Sequence, residues 1–201
     1  MSLLCLQKNS IKMQISTNGL ELNKIIKNIV DYINKPIINI SLDAANEDHD
    51  IIRDSKGLFN KIITVIKENK RHNIPFTFNA TIFSENIIPS LPDGNIKHVS
   101  NLIALSVGLK VPINFQPYAP EDEGLRKKLG LILLKSDSPY ILNTLSYRKT
   151  LIDSHNGECR VSWINKSLDI HGKELPTNKD NCYFCKECSK CYYSCVWIFN
   201  S

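Results

Sequence analysis

The 201-residue chain contains seven cysteines, and these are the residues whose type and spacing most clearly suggest chemistry. Five of them lie between positions 182 and 195. A secreted disulfide scaffold would spread its cysteines through a shorter chain behind a signal peptide, and the N-terminus lacks the order and the cleavage site of such a peptide. The cluster therefore predicts a metal site in a cytoplasmic protein. The candidate ligands are Cys159, Cys182, Cys185, Cys188, Cys191 and Cys195.

The clustered cysteines can form a four-ligand set in two ways. One is C-x2-C-x5-C-x3-C, with Cys182, Cys185, Cys191 and Cys195; the other is C-x2-C-x2-C-x3-C, which begins at Cys185 and includes Cys188. The second spacing matches the iron-sulfur run of bacterial ferredoxins except for its final proline. Four thiolates at such spacings also bind zinc tetrahedrally, so the sulfur donors alone leave both a [4Fe-4S] cluster and zinc open.

Polar residues at the ends of four predicted strands form a second group of candidates. The strands are predicted at 11–16, 37–43, 75–82 and 111–118, from β-branched or alternating apolar residues. Because active groups of parallel α/β folds lie at the carboxyl ends of the strands, these side chains are expected to share one edge of a sheet. They are Thr17 and Asn18, Ser41 and Asp43, Asn79 and Thr81, and Asn114 and Gln116.

Helical patterns fill the intervals between these strands. Apolar residues recur at helical spacing over 22–33, and Asp54 or Ser55 is expected to cap the next helix. His49 and Asp50 are interpreted as capping residues rather than catalytic ones. Because crossovers of this length join parallel strands, the sequence predicts an α/β layer or barrel.

Four segments together resemble the last four strands of the radical SAM partial barrel. They are 15–19 (ISTNG), 40–54 (ISLDAANEDHDIIRD), 69–82 (NKRHNIPFTFNATI) and 114–120 (NFQPYAP). The resemblance covers residues 11–120 and implies a partial parallel (β/α) barrel. Enzymes of this family use a [4Fe-4S] cluster to cleave S-adenosylmethionine (SAM) reductively, and the resulting 5'-deoxyadenosyl radical abstracts a hydrogen atom from the substrate.

The resemblance implies a cofactor-binding role for five side chains. Ser41 is similar to the hydroxyl that hydrogen-bonds the SAM aminocarboxylate or ribose, and Asp43 is similar to a ribose or substrate contact. Arg53 is similar to the arginine that pairs with the SAM carboxylate, a task suited to a forked donor. Asn79 resembles the polar group of the third strand near the ribose, and Gln116 lies on the strand that passes the adenine. No catalytic residue is assigned.

Two features of the family are missing from these 201 residues. One is the C-x3-C-x2-C loop that leaves an iron open to SAM, since only Cys5 precedes the first matching segment. The other is a G-G-E stretch after the second strand. The chain therefore resembles the C-terminal two-thirds of a truncated or split enzyme, and an N-terminal half encoded upstream is an expected partner. Enzymatic activity of the chain alone is left open.

The C-terminal cysteines resemble the auxiliary iron-sulfur extension called SPASM. Cys159 and Gly172 fit its upstream half, but Thr177 stands where a cysteine is expected, and no cysteine follows Cys195. A helix is predicted over 138–152, capped by Ser138. The predicted organisation is a barrel part at 1–120, a helical connector at 121–157 and a cysteine-rich module at 158–201.

Family members with such tails modify peptides or proteins, so a peptide, a protein or a small molecule is the expected substrate. The rival interpretation is a noncatalytic zinc-binding module that contacts nucleic acid or protein, and a third is an inactive gene remnant. The tail from 182 to 197 carries only Lys186 and Lys190 as basic residues, next to the acidic Glu187, and so small a positive charge argues against nucleic-acid binding.

No apolar run approaches the ~18 residues that span a bilayer, so no membrane partner is expected.

Overall fold

The computed structural model describes residues 13–119 and 122–153. Within these residues four strands form one sheet, in which all three neighbouring pairs are parallel. The strands lie in the order β1-β2-β3-β4. The predicted α/β class with four parallel strands is therefore confirmed. The strands are β1 (Gln14–Thr17), β2 (Ile37–Ser41), β3 (Phe76–Ile82) and β4 (Ile113–Pro117).

Helices connect each described strand to the next. Between β1 and β2 the apolar stripe of Leu22, Ile26 and Ile29 is buried, as the helical periodicity predicted. Two short 3-10 turns, Lys70–His72 and Ile96–His98, supplement the helices. The helices are α1 (Leu22–Ile29), α2 (Asp48–Ile52), α3 (Leu58–Glu68), α4 (Val99–Leu109), α5 (Glu123–Lys135) and α6 (Leu145–Thr150).

The two faces of the sheet differ in chemistry. Ile38, Ile40 and Phe78 are fully buried and belong to one core with apolar side chains of the helices. Right-handed crossovers between strands in consecutive order place their helices on the same face, which explains why the buried apolar residues of the strands share that face, whereas the half-buried Ile37 lies on the other. The opposite face carries the alternate, polar residues Asn39, Ser41, Thr77, Asn79, Thr81, Asn114 and Gln116.

The start of α3 differs from the predicted one. Asp54 and Ser55 precede α3 but do not cap it, and Gly57 with a φ of 78° occupies the N-cap position. The Asp50 carboxylate instead accepts hydrogen bonds from the backbone N–H groups of Gly57 at 2.5 Å and Phe59 at 2.7 Å. Asp50 therefore has the predicted capping role, but it caps α3 from the preceding helix α2. The sequence pattern did not predict this arrangement.

The connector also differs from its prediction. Ser138 does not begin a helix, because the segment 140–142 runs beside β4 instead: the Ile113 N–H donates to the Tyr140 carbonyl and the Leu142 N–H to the Ile113 carbonyl, both at 2.8 Å. Helix α6 begins later, where the Thr144 hydroxyl accepts from the Tyr147 N–H at 3.2 Å. The connector is helical in α5 and α6.

Predictions that concern the cysteine-rich module at 158–201 and Cys5 lie outside the described residues. Among the helices of 13–119 and 122–153, none is long and apolar enough to cross a bilayer.

Candidate functional site

The carboxyl ends of β2, β3 and β4 bring three of the predicted site residues onto the polar face of the sheet. Ser41 lies opposite Asn79 in the β2–β3 register, and in the β3–β4 register Asn79 lies opposite Asn114 and Thr81 opposite Gln116. Ser41, Asn79 and Gln116 are half-buried. These three side chains are therefore partly accessible on a surface that packing holds in place.

The end of β1 does not join this row. Thr17 lies opposite Ile40, on the helix-covered side of the sheet. Its hydroxyl accepts a hydrogen bond from the Gly19 N–H at 3.1 Å, and the Asn18 side chain accepts one from the Leu20 N–H, also at 3.1 Å. Both polar residues thus form the turn into α1, the plain capping role of a polar strand end.

Asp43 and Arg53, both predicted site residues, form an ion pair just beyond the end of β2. Arg53 Nη2 lies 2.5 Å from Asp43 Oδ2, and the Thr81 N–H donates to Asp43 Oδ1 at 2.9 Å. Burial raises the pKa of Asp43, and the Arg53 guanidinium offsets part of this rise. The Asp43 side chain is only 2% exposed. Its oxygens are engaged within the protein, so it positions Arg53 rather than offering itself to a ligand.

Arg53 keeps donors beyond this pair. It is the C-cap residue of α2, and its side chain is 31% exposed. A guanidinium carries five N–H donors; Arg53 Nε is buried without a partner among the described residues, so the donors open to a ligand are those of the Nη atoms. The remaining donors suit a planar anion such as a carboxylate, which accepts two parallel hydrogen bonds from such a fork.

His49 holds the loop that carries Asp43. Its Nδ1 accepts a hydrogen bond from the Asp43 N–H at 3.2 Å, and the ring is fully buried. Burial, aided by the nearby Arg53 cation and opposed by Asp50, lowers the pKa of His49 to about 4. The ring is therefore neutral at pH 7, with its proton on Nε2, since Nδ1 is an acceptor. His49 was predicted to cap a helix, but its ring instead holds the backbone at Asp43.

Asn95 is a buried site residue that the sequence analysis missed. Its Oδ1 accepts from the Phe83 N–H at 2.8 Å, and its Nδ2 donates to the carbonyls of Asp43 at 2.9 Å and Thr81 at 2.8 Å. The side chain therefore fastens together the chain segments that follow β2 and β3. The preceding Asp93-Gly94 pair is typical of a turn, but no local pattern marks the asparagine after a turn as a long-range cross-link.

Asn143 is the second missed residue, and it extends the polar row beyond β4. Its Nδ2 donates to Asn114 Oδ1 at 3.0 Å, and Asn114 Nδ2 donates to Asn79 Oδ1 at 2.9 Å. Asn143 also accepts from the Phe115 N–H and donates to the Phe115 carbonyl, both at 2.8 Å. Three side-chain amides thus run in line across β4 and β3 toward Ser41 on β2.

The predicted metal ligands lie outside the described residues. All six candidate cysteines lie outside 13–119 and 122–153. Within those ranges no group of three or more His, Cys, Asp or Glu side chains could hold a metal ion. The described side chains at this edge are therefore neutral hydrogen-bonding groups together with the Asp43–Arg53 ion pair.

Comparison of the chain with protein-family models and with curated proteins finds no match. Assignment of a function therefore depends on the geometry of this edge and on the chemistry of its side chains.

Proposed function

We propose that the described residues form the SAM-binding part of a radical SAM-type protein, with the ligand bound along the carboxyl ends of β2, β3 and β4. The observation that supports this most is the row in which Ser41 and Asn79 lie opposite each other, with the Asp43–Arg53 pair beyond it. Such an edge offers a cation for an aminocarboxylate and neutral hydrogen-bonding groups for a ribose. SAM carries both groups on one molecule.

The strand order adds support for the barrel part of the proposal. Four parallel strands in consecutive order, with an apolar helix-covered face and a polar opposite face, match what a segment of a (β/α) barrel requires. A doubly wound sheet would reverse its strand order at a switch point instead. In the proposed barrel, the polar face with Asn79 and Gln116 would line the interior, where ligand and substrate meet.

The cysteine-rich tail would hold the auxiliary [4Fe-4S] cluster in this proposal, with zinc as the alternative metal. In the family that the sequence resembles, an iron-sulfur cluster supplies the electron that cleaves SAM. The described side chains are assigned binding and orientation only: Arg53 would hold the carboxylate, and Ser41 and Asn79 the ribose. A peptide or protein substrate and a separate polypeptide with C-x3-C-x2-C complete the proposed system.

The test is anaerobic calorimetric titration of the full chain with SAM. Arg53→Ala should weaken binding about tenfold to a hundredfold, because a charge-assisted hydrogen bond contributes roughly 1.5 to 3 kcal/mol. Arg71→Ala is the matched control, since Arg71 lies in the turn before β3 and thus at the opposite edge of the sheet. Its affinity should equal that of the wild type.

Arg53→Ala also leaves the buried Asp43 carboxylate without its cation, so circular dichroism must show that the variant is folded. Arg53→Lys restores a positive charge but not the fork, and it should recover stability more than SAM affinity. SAM binding that is tight and insensitive to both substitutions would contradict the assignment of the site.

A further inference from the structure

The amide groups of Asn143, Asn114 and Asn79 form a hydrogen-bonded chain whose direction is set at one end. An asparagine amide can usually be rotated so that its oxygen and nitrogen exchange places. Asn143 cannot, because the Phe115 N–H only donates and the Phe115 carbonyl only accepts. Both lie 2.8 Å from the matching Asn143 atoms, Oδ1 and Nδ2.

The fixed orientation of the Asn143 amide determines the orientations of the Asn114 and Asn79 amides in turn. Asn143 Nδ2 donates to Asn114 at 3.0 Å, so the oxygen of Asn114 must face Asn143 and its nitrogen must face β3. Asn114 Nδ2 then donates to Asn79 Oδ1 at 2.9 Å. The Asn79 oxygen is thereby committed, and its Nδ2 group is left as the donor at the end of the chain.

The free end of the chain points to a ligand. Asn79 is half-buried, and among the described residues its side chain is seen to hydrogen-bond only through Oδ1, to Asn114. Opposite it on β2 lies Ser41, whose hydroxyl can both donate and accept. Asn143 and Asn114, in contrast, are 2% and 7% exposed, which places the two earlier amides out of reach of a ligand.

We propose that Asn143 is a positioning residue that fixes Asn79 as a hydrogen-bond donor, so that this site selects a ligand with an acceptor oxygen at that point. The identity of the ligand rests on the proposed function, in which the acceptor is a ribose hydroxyl of SAM. The dependence of Asn79 on Asn143 rests only on the hydrogen bonds of the row.

Asn114→Asp is the decisive variant, because it should reverse the orientation of the Asn79 amide while keeping the hydrogen bond from Asn143 to position 114. The new carboxylate still accepts from Asn143 Nδ2 but cannot donate to Asn79. Asn79 must then rotate, donate toward position 114 and present its oxygen to the ligand. Asn39→Asp is the matched control: it adds the same charge to the same face, and its carboxylate still accepts from the Thr77 hydroxyl.

The binding experiment compares adenosine with 2'-O-methyladenosine and 3'-O-methyladenosine by calorimetry, because an ether oxygen accepts a hydrogen bond but cannot donate one, whereas a hydroxyl does both. In the wild type and in Asn39→Asp, Asn79 donates, so at least one of the two ethers should bind about as tightly as adenosine. In Asn114→Asp and Asn143→Ala, Asn79 can present its oxygen instead, and both ethers should bind more weakly than adenosine, about tenfold in Asn114→Asp, which equals about 1.4 kcal/mol. Equal discrimination between adenosine and the ethers in all four proteins would overturn the role of Asn143.

A ligand-independent measurement separates this inference from the proposed function. Scalar coupling across the hydrogen bond, from the Asn114 side-chain ¹⁵N to the Asn79 side-chain carbonyl carbon, should be present in the wild type and absent in Asn143→Ala. Coupling that persists in Asn143→Ala, or runs from Asn79 to Asn114, would overturn the positioning role. Wild-type protein that shows the expected coupling but binds neither adenosine nor SAM would overturn the proposed function and the ligand, and leave the positioning role supported.

Discussion

Acidification should destabilise the fold through the buried ring of His49. Burial lowers the pKa of this ring from 6.5 to about 4, so the folded state binds fewer protons than the unfolded state between these pH values. Its stabilising contribution is therefore complete above pH 6.5 and is lost as the pH falls toward 4. At about 1.4 kcal/mol for each pKa unit, the loss is roughly 3 kcal/mol, a large share of an ordinary domain's stability.

The assay is urea unfolding of the full chain at a series of pH values, compared with His49→Asn. Asparagine keeps an acceptor near the position of Nδ1 for the Asp43 N–H but does not titrate. The variant loses packing and should be less stable at pH 7, yet its free energy of unfolding should fall less steeply below pH 6.5. His72→Asn, in the turn before β3, should follow the wild-type profile.

Two other groups with shifted pKa values also contribute to the pH dependence of stability, and the comparison between variants separates their contributions from that of His49. Burial lowers the pKa of His98, which adds acid sensitivity of the same sign, whereas burial raises the pKa of Asp43, which acts in the opposite direction. Both remain in His49→Asn, so the difference between the two profiles isolates His49. Parallel profiles for the wild type and His49→Asn would refute the assigned burial and protonation state of the ring.

Three further outcomes are expected. Anaerobic purification should give a brown protein with about four irons and four sulfides per chain. Replacing Cys191 or Cys195 should abolish this iron and sulfide content, whereas replacing Cys5 should not. Stoichiometric zinc without sulfide would favour the rival noncatalytic zinc-binding module. The 201-residue chain alone should make no 5'-deoxyadenosine from SAM under reducing conditions, because it lacks C-x3-C-x2-C, and chromatography of the reaction products tests this. Gly94→Ala should lower the melting temperature, because φ at Gly94 is 64° and an added Cβ would lie 2.6 Å from a backbone carbonyl oxygen. Gly108→Ala on α4 is the control: an added Cβ there meets no atom within 4 Å, and alanine favours the helix, so the melting temperature should rise.

The fold could be predicted from the sequence because its elements are encoded locally. The β-branched run that begins at Ile37 and the helical spacing of Leu22, Ile26 and Ile29 each specify an element without reference to the rest of the chain. The start of α3 is different. Asp50 caps it from seven and nine residues away in sequence, whereas capping rules look within the first turn and therefore pointed to Asp54 or Ser55.

The candidate site could be predicted only as a set of strand ends. That Ser41 meets Asn79, and Asn79 meets Asn114, depends on strand register, which is determined by packing across the whole sheet. Asn95 and Asn143 gave no signal at all, because a single asparagine in a loop looks the same whether it faces solvent or cross-links two strands. Pairing of Arg53 with Asp43 was likewise invisible, since the sequence shows two charges but not their distance.

The three groups that hold the Asp43 backbone and carboxylate show how the site is preorganised. His49 accepts from its N–H, Asn95 donates to its carbonyl, and the Thr81 N–H donates to its carboxylate. Each comes from a different part of the chain, so the carboxylate that positions Arg53 is fixed before any ligand arrives. A ligand carboxylate that binds Arg53 would then not lose affinity through ordering of the Asp43 segment. Loss of Asn95 or His49 should therefore weaken an anion at Arg53 even though neither residue can touch it.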